Sequence, residues 1–195
     1  MKQIVFATHN LNKVSEIRPL LPESLDLLSL DQIGCVEDIA ETADTLEGNA
    51  RIKADYIWKY FRHDCFADDT GLEVEALKGA PGVYSARFAG PQAGAEANMD
   101  KLLELMKDSS SRRARFRTVI ALCLNGEFHF FEGVVEGKIL SAPRGTDGFG
   151  YDPVFQPDGS ELSFAEMPLE AKNEISHRGR AIRKLCAFLE NYYLD

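Results

Sequence analysis

Apolar residues recur along the first half of the chain with two spacings, one typical of buried strands and the other of amphipathic helices. A continuous apolar run at 3–7 predicts a strand, and Val14, Ile17 and Leu21 follow it at helical spacing. The same pattern predicts strands at 3–7, about 26–30 and about 65–69, and helices at about 12–21 and about 45–61. Strands that alternate with helices predict at least some parallel strand pairing.

The second half of the chain adds a different pattern. A helix, two β-rich stretches and a final helix are expected at about 94–107, 115–124, 128–140 and 178–191. The two β-rich stretches meet at Asn125-Gly126, which is the strongest short signal for a hairpin. Parallel pairing together with a hairpin predicts an α/β fold with a mixed sheet and flanking helices.

Length and charge limit the number of domains and the kinds of ligand that the chain can be expected to have. The 195 residues suffice for a sizeable core, and we expect a single domain over 1–195. Acids outnumber bases by 31 to 22, and the resulting net charge of -9 argues against general nucleic-acid binding. A polyanionic ligand would therefore need bases gathered locally around it.

Several kinds of site and location are disfavoured. The four cysteines lie far apart and the four histidines lack ligand spacing, so neither a zinc site nor a disulfide framework is expected. The basic run Arg112–Arg117 predicts a strand whose alternate arginines face solvent. The chain enters a strand at once, without a signal peptide, and no apolar run spans a membrane. We therefore expect a cytoplasmic protein without a membrane partner.

Residues 145–153 read Gly-Thr-Asp-Gly-Phe-Gly-Tyr-Asp-Pro. The three glycines permit tight turns and the close approach of a ligand. Phe149 and Asp152 place a planar ring beside a hydrogen-bonding acid, a combination that suits a nucleobase. Composition by itself favours an ordinary glycine-rich surface loop, so the base-binding interpretation depends on two further segments.

The first of these segments, Thr8–Lys13, follows the predicted strand at 3–7 and precedes a predicted helix. Backbone N–H groups and the helix dipole favour an anion at such a turn, and Lys13 adds a positive charge. An ordinary helix cap with an exposed lysine explains the segment at least as well. The chain contains no standard phosphate-binding loop of the Gly-x-x-x-x-Gly-Lys-Ser/Thr type.

The second segment is Ala67–Leu72, in which Asp68 and Asp69 end another apolar stretch. Carboxylates at the end of a buried strand often serve catalysis in open α/β sheets. Two adjacent acids repel each other unless a cation or hydrogen-bond donors relieve them, and Mg²⁺ prefers such oxygen ligands. The alternative is a solvated turn. Upstream acids at 37–47 form a solvated face or supply one further metal ligand.

Together these segments resemble the non-canonical purine nucleoside triphosphate pyrophosphatases, the inosine and xanthosine triphosphatase-like enzymes. The resemblance extends over nearly the whole chain. It departs at His9, where a small residue is usual, and at Thr70, where serine is common. The motifs that carry it are Thr8-x-Asn10-x-x-Lys13, Glu41-Thr42, Asn49-Ala50-x-x-Lys53-Ala54, Ala67–Leu72, Gly79–Arg87, Gly145–Pro153, Lys172 and Ser176–Gly179.

The resemblance implies an elongated α/β fold with two lobes around a central active-site cleft, commonly as a homodimer. It implies Mg²⁺-dependent hydrolysis of ITP, dITP or XTP to the monophosphate and pyrophosphate, which cleans the nucleotide pool. Glu41 and Asp69 would bind Mg²⁺, and Asp69, helped by Asp68, would position or deprotonate the attacking water. Substrate contacts on the phosphate side are implied for Thr8, His9, Asn10, Leu11, Asn12, Lys13, Lys53, Thr70 and Lys172.

The resemblance also implies a site for the base. Its residues are Phe149, Gly150, Tyr151, Asp152, His177 and Arg178. Phe149 would stack on the purine. A guanidinium group only donates hydrogen bonds, so Arg178 suits the 6-keto group of inosine or xanthine rather than the amino group of adenine.

Two alternatives stay open. One is a related pyrophosphatase that acts on other modified or canonical nucleotides, which only a panel of substrates separates from the first interpretation. The other is a nucleotide-binding module without catalysis. The acids Glu41, Asp68 and Asp69 weigh against that module, because a pure binder has little use for carboxylates beside phosphates.

Overall fold

The computed structural model describes residues 2–194, which form five α-helices, seven strands and several 3₁₀ turns. The helices are α1 (Leu11–Ile17), α2 (Leu46–Phe61), α3 (Ala95–Leu105), α4 (Leu169–Ile175) and α5 (His177–Leu194). The strands are β1 (Lys2–Phe6), β2 (Leu25–Leu28), β3 (Cys65–Val74), β4 (Pro81–Gly82), β5 (Arg113–Leu124), β6 (Glu127–Ile139) and β7 (Phe155–Pro157).

The strands form one sheet in the order β2-β1-β3-β5-β6-β7, with β4 paired to β3. Strand β1 pairs parallel with β2, where Ile4 lies opposite Leu27, and parallel with β3, where Val5 lies opposite Cys65. Strands β4 and β7 pair antiparallel with β3 and β6. The predicted α/β fold with a mixed sheet and flanking helices is therefore confirmed.

The chain divides into two compact units, which are described separately. The first unit comprises Met1–Asp69, Thr118–Gly133 and Arg178–Asp195. The second unit comprises Thr70–Arg117 and Val134–His177. Each of the strands β3, β5 and β6 contributes residues to both units.

Side-chain alternation divides the core of the first unit into two clusters. Ile4 and Phe6 of β1 pack with residues of α1 and α5, whereas Val5 and Ala7 pack with residues of α2. Strands β3 and β5 follow the same alternation, with Phe66 in the first cluster and Cys65 in the second. Because successive residues of a strand point to opposite faces, α1 and α5 cover one face and α2 covers the other.

The core of the second unit lies on one face of its strands. Leu72 and Phe116 pack there with Leu102 of α3 and with the aromatic ring of Phe164. On the other face, the exposed arginines of β5 form ion pairs with carboxylates, as the alternating basic run predicts. These surface pairs are screened by water and contribute little to stability.

Two predicted boundaries are wrong for clear physical reasons. Helix α1 ends at Ile17, not at about 21, and a 3₁₀ turn follows at Arg18–Leu20. Pro19 lacks the N–H group that would continue the helical hydrogen bonds. Strand β3 continues to Val74, beyond the predicted end at 69, because β4 pairs with Leu72 and Glu73.

The predicted hairpin is confirmed, whereas the shortest elements were not anticipated. Asn125 and Gly126 connect β5 to β6 with φ angles of 50° and 87°, the left-handed conformations that a type I′ turn requires. Strands β4 and β7 and helix α4 are too short to show a periodic apolar pattern. Among residues 2–194, no helix is both long and apolar enough to cross a bilayer.

Candidate active site

Strand β3 carries two adjacent buried carboxylates, Asp68 and Asp69, which are 1% and 6% exposed. They lie within the strand rather than after its end. Asp68 therefore shares the face of Phe66, toward α1 and α5, and Asp69 shares the face of Ala67, toward α2. This alternation separates the two carboxylates and gives each its own surroundings.

Asp68 lies between two cations. Lys13 Nζ of α1 is 2.9 Å from Asp68 Oδ1, and Arg178 Nε of α5 is 3.3 Å from Asp68 Oδ2. The Nη1 atom of Arg178 also donates to Glu16 of α1. All of these side chains are largely buried, so two acids and two bases of the first unit balance one another away from water.

These neighbours keep Asp68 ionised. Burial opposes its charge, but the cations of Lys13, Arg178 and Lys53 outweigh that effect and hold the pKa of Asp68 well below its usual range. Burial lowers the pKa of Lys13, although the Asp68 carboxylate works against this. A carboxylate with so low a pKa is a poor proton acceptor, so the geometry favours an anchoring role for Asp68.

Asp69 has different surroundings. Its Oδ2 atom accepts a hydrogen bond of 3.0 Å from Nδ2 of Asn49, which is fully buried on α2. Burial raises the pKa of Asp69 to about 6; the Lys53 ammonium opposes the rise, and the Glu41 carboxylate adds to it. Asp69 can therefore exchange a proton near neutral pH, whereas Asp68 cannot.

Lys53 lies one turn after Asn49 on α2 and links Glu41 to strand β3. Its Nζ atom is 2.5 Å from Glu41 Oε1 and 2.7 Å from the backbone oxygen of Asp68. Burial works to lower the pKa of Lys53, but the carboxylates of Glu41, Asp69 and Asp68 outweigh it and raise the pKa. The ammonium group is therefore charged and already engaged by carboxylates.

The turn from Thr8 to Lys13 contains a helix cap. Asn10 precedes α1, and its Oδ1 atom accepts from the backbone N–H groups of Asn12 and Lys13 at 3.0 and 3.2 Å. The Thr8 hydroxyl accepts from the N–H of Asn10. The sequence predicts that these backbone N–H groups bind an anion, but in the unliganded protein they donate to side chains of the turn.

The other two residues of this turn face outward. His9 Nε2 is 3.1 Å from the backbone oxygen of Glu37, and Leu11 is 80% exposed. By contrast, the Lys13 side chain points inward, where its ammonium pairs with the Asp68 carboxylate.

In the second unit, the glycine-rich segment folds into a tight loop. Gly145, Gly148 and Gly150 have φ angles of 82°, 74° and 63°. A Cβ atom at Gly148 would lie 2.2 Å from Asp152 Oδ2, so no side chain fits there without movement. The same carboxylate oxygen accepts from the backbone N–H of Phe149 at 2.8 Å and thereby fixes the loop that carries the ring.

Asp152 also pairs with Lys172 of α4. Lys172 Nζ is 2.6 Å from Asp152 Oδ2, and both side chains are 4% exposed. The ammonium lies 5.4 Å from the centre of the Phe149 ring. The predicted contact of Lys172 with phosphates stays a prediction. Within the second unit, its ammonium group contacts the Asp152 carboxylate beside the Phe149 ring.

The remaining predicted residues of the second unit are mostly packed. Tyr151 donates to the backbone oxygen of Ser85 at 2.8 Å, and burial raises the pKa of its hydroxyl. His177 stacks on Phe116 with ring centres 4.6 Å apart. Thr70 continues β3 directly after Asp69.

The predicted site residues thus fall into two groups. The first unit brings together Lys13, Glu41, Lys53, Asp68, Asp69 and Arg178. The second unit brings together Phe149, Asp152 and Lys172. Sequence reasoning missed two partners, Glu16 and Asn49. Asn49 belongs to a quoted motif, and Glu16 is a polar residue beside the apolar face of α1, so both could have been found.

A metal ion would have few protein ligands here. Across residues 2–194, no three or more His, Cys, Asp or Glu side chains are grouped to hold one. Two carboxylates nevertheless fit Mg²⁺, which commonly binds one or two of them and completes its shell with waters and substrate phosphates. Burial and the nearby Glu41 carboxylate both raise the pKa of Asp69, and a cation beside the two acids would relieve their repulsion.

Nearly the whole chain is similar to known proteins in sequence and in fold. The model of the Ham1 family matches residues 4–188. A dITP/XTP pyrophosphatase of Christiangramia forsetii is 58% identical over 187 residues, covering 96% of this chain and 98% of that protein. A dITP/XTP pyrophosphatase of Porphyromonas gingivalis is 56% identical over 190 residues, covering 97% and 98%. The structure of a HAM1 protein from Coxiella burnetii gives a TM-score of 0.91 at 39% identity, covering 98% of this chain and 100% of that one.

Proposed function

The chain belongs to the Ham1 family, and from that premise we propose that it hydrolyses non-canonical purine nucleoside triphosphates to the monophosphate and pyrophosphate. The substrates are dITP, ITP and XTP. Relatives that share more than half of their residues with this chain over almost their full length are named dITP/XTP pyrophosphatases. The activity is that of a hydrolase acting on an acid anhydride, and its role is to clean the nucleotide pool.

The observation that carries this proposal is the buried charged cluster of the first unit. Lys13, Lys53 and Arg178 supply three cations, and Glu41, Asp68 and Asp69 supply three carboxylates. The pKa of Asp68 is lowered whereas that of Asp69 is raised. A module that only binds nucleotides has no need of buried acids beside phosphates, because they repel the ligand. Hydrolysis needs them to hold a cation and to receive a proton from water.

We assign Asp69 the role of positioning and deprotonating the attacking water. Of the two adjacent acids only Asp69 has a pKa near the working pH, about 6 in the metal-free protein, whereas the cations around Asp68 keep it ionised and a poor base. Asp68 supports this role from the opposite face of β3, where it holds Lys13 and Arg178 in place.

We propose that Mg²⁺ is held by Glu41 and Asp69. When bound, it would neutralise charge on the phosphate oxygens. Lys53 now contacts Glu41, so the Lys53 ammonium is available to phosphate oxygens once a cation takes its place on that carboxylate. Lys13 would contact the phosphates from α1 while it keeps its ion pair with Asp68. Both lysines stabilise the charge that develops on the leaving pyrophosphate.

The turn Thr8–Asn12 contributes differently from a standard phosphate-binding loop. Asn10 occupies the N–H groups of Asn12 and Lys13, so the turn would offer its side-chain amides and the Lys13 charge rather than a row of unoccupied backbone donors. We propose that the substrate phosphates contact the surface formed by Thr8, His9, Asn10, Leu11 and Asn12.

We assign recognition of the base to the glycine-rich loop and its neighbours. Phe149 offers a half-buried ring for stacking, which contributes roughly 1–3 kcal/mol for a base on an aromatic side chain. Asp152 and Lys172 set the position of that ring and offer polar atoms at its side. Gly150, Tyr151 and His177 complete this proposed surface, with Thr70 assigned to the phosphate side.

Arg178 is the residue proposed to distinguish a 6-keto purine from adenine. Its Nε and Nη1 atoms donate to Asp68 and Glu16, which fixes the orientation of the guanidinium that would donate to the 6-keto oxygen. Donors left unpaired beside an amino group would cost roughly 1–3 kcal/mol each, which is enough for discrimination.

The experiment that tests the proposal is a pyrophosphate-release screen with dITP, ITP, XTP, GTP, ATP and dUTP in the presence of Mg²⁺. We expect the deaminated purines to be turned over at least about tenfold faster per unit concentration than ATP, which has an amino group in place of the 6-keto group, since one mismatched hydrogen bond has that effect. GTP keeps the 6-keto group, so its turnover shows whether the 2-position of the base is recognised as well. Equal turnover of all six would replace this function with a general pyrophosphatase. A homodimer in the cytoplasm stays a prediction, and size-exclusion chromatography with light scattering tests the dimer.

A further inference from the structure

Helix α2 presents two polar side chains, Asn49 and Lys53, toward β3 from successive turns. Asn49 is fully buried and is held at both ends of its amide group. Its Oδ1 atom accepts from the backbone N–H of Ala43 at 2.9 Å, and its Nδ2 atom donates to Asp69 Oδ2 at 3.0 Å. Asn49 therefore joins the segment that follows Glu41 to the carboxylate proposed as the base.

The orientation of this amide is fixed by its partners. A backbone N–H group can only donate, so the oxygen of Asn49 must face Ala43 and the nitrogen must face Asp69. The bond to Asp69 is thus set by a second bond, and the side chain cannot turn over without losing both. Because Asn49 is fully buried, each loss would leave a polar group unsatisfied.

Lys53 makes a parallel connection, but one that substrate can interrupt. Its ammonium joins Glu41 to the backbone oxygen of Asp68. Phosphate oxygens compete with Glu41 for the Lys53 ammonium, and a cation on Glu41 competes with Lys53 for the carboxylate. The amide of Asn49 is neutral, so phosphate oxygens attract it far less than they attract the Lys53 ammonium, and its link between residues 43 and 69 persists when Lys53 turns to the substrate.

We propose that Asn49 is the positioning residue of this site: it aligns the Asp69 carboxylate and the segment carrying Glu41 with each other throughout turnover. This inference rests on the proposed function. Groups that hydrogen-bond to metal-binding carboxylates typically change affinity or activity by about 10–100-fold when they are replaced. Asn49 acts through Asp69 and does not touch the substrate.

The test compares Asn49→Asp with a matched control, Asn98→Asp. Asn98 is the fourth residue of α3, as Asn49 is of α2, and it is also buried. It accepts from the N–H of Ala89 and donates to the oxygen of Ala86, so it makes the same two kinds of bond without a carboxylate partner. Each substitution keeps the shape and the acceptor, removes the donor and adds a negative charge, which at position 49 lies beside the Asp69 carboxylate.

We expect Asn49→Asp to lower kcat for dITP by at least about tenfold and to change the Mg²⁺ concentration for half-maximal activity, because the new carboxylate repels that of Asp69 where the amide had held it, with KM for dITP changed less. Asn98→Asp should leave kcat and the Mg²⁺ requirement within about twofold, even where it lowers Tm as much. Equal kcat values and Mg²⁺ requirements in the two variants would overturn the proposal.

A second pair of variants provides a readout that does not depend on activity. Asn49→Ser removes both bonds without adding charge, and Asn98→Ser is its control. Amide hydrogen exchange of the segment 41–45 should be at least about tenfold faster in Asn49→Ser and unchanged in Asn98→Ser. Unchanged exchange in Asn49→Ser would show that the amide does not hold this segment.

Failure of the proposed function and failure of the positioning role give different results. If the unaltered protein does not release pyrophosphate, the proposed function fails. If the unaltered protein is active and the Asn49→Asp variant is equally active, the positioning role alone is refuted.

Discussion

Replacement of Asp69 by asparagine should abolish activity and stabilise the fold at the same time. In the unliganded protein the carboxylate is buried beside Glu41, and its pKa of about 6 lies well above the ordinary 3.8. The difference corresponds to about 3 kcal/mol by which an ionised Asp69 weakens the folded state at pH 7. An asparagine of the same shape removes that cost. It also removes the base, so kcat should fall at least about a hundredfold.

Asp68→Asn is the control, and its effect on stability has the opposite sign. Asp68 is paired with Lys13 and Arg178, so its loss leaves two buried cations with too little negative charge. Breaking such a pair typically costs about 3–5 kcal/mol. For a chain of this size, 1 kcal/mol shifts Tm by about 2–4 °C. We therefore expect Tm to rise by about 6–12 °C in Asp69→Asn and to fall by about 6–20 °C in Asp68→Asn.

The assay is thermal unfolding in EDTA, so that bound metal does not stabilise the parent, and it should be repeated at several pH values. An acid whose pKa is raised on folding contributes stability at low pH, and this contribution is lost as the pH rises through the folded pKa. The advantage of Asp69→Asn over the parent should therefore be small near pH 4 and complete above pH 6. A variant that unfolds at lower temperature than the parent at pH 7.5, or one that is more stable by the same amount at pH 4, would refute this explanation.

Three further predictions concern the metal and the aromatic loop. EDTA should abolish pyrophosphate release and Mg²⁺ should restore it without zinc; full activity after thorough chelation would exclude the proposed role of Glu41 and Asp69. Phe149→Ala should raise KM for dITP by the loss of a stacking contact of roughly 1–3 kcal/mol, and an unchanged KM would remove the ring from base recognition. Gly148→Ala should raise KM more than Gly150→Ala, because both add a side chain at positive φ but only the Cβ at 148 meets Asp152, at 2.2 Å; equal effects would show that the clash is unimportant.

The sequence predicted the parts of the fold that have clear periodic patterns. The alternation of strands and helices, and Asn125-Gly126, were sufficient for the mixed sheet. The continuation of β3 past Asp69 was missed because acids and glycine usually end a strand, whereas here pairing with β4 extends it. Tertiary contacts of this kind have no local signal.

The division of labour between Asp68 and Asp69 could have been inferred in part. Once both residues are placed in a strand, alternation puts them on opposite faces, and the helices that cover those faces follow from their apolar stripes. The sequence does not show which side chains from distant parts of the chain contact Asp68 and Asp69. The contact of Asp68 with Arg178 joins residues 110 positions apart and exists only because α5 packs on the same face as α1.

Lys172 shows the same limit in the second unit. Its place in a motif predicts a phosphate contact, which stays a prediction. Its pairing with Asp152, at 2.6 Å, depends on how α4 packs beside the loop and was not predicted. The charge of a residue and its spacing from others do not determine which partner it meets. The glycines at 145, 148 and 150 were interpretable because their positive φ angles reflect a local requirement of the backbone.

The most direct test of the central claim is the product ratio during dITP turnover, measured by ³¹P NMR without added inorganic pyrophosphatase. Lys13 and Lys53, together with a cation on Glu41 and Asp69, would stabilise a leaving group of two phosphates, so water should attack the α-phosphorus. The account predicts dIMP and pyrophosphate in equal amounts from the first turnover onward. Accumulation of dIDP with orthophosphate would contradict it, because the bond to the terminal phosphate would then be the one that breaks.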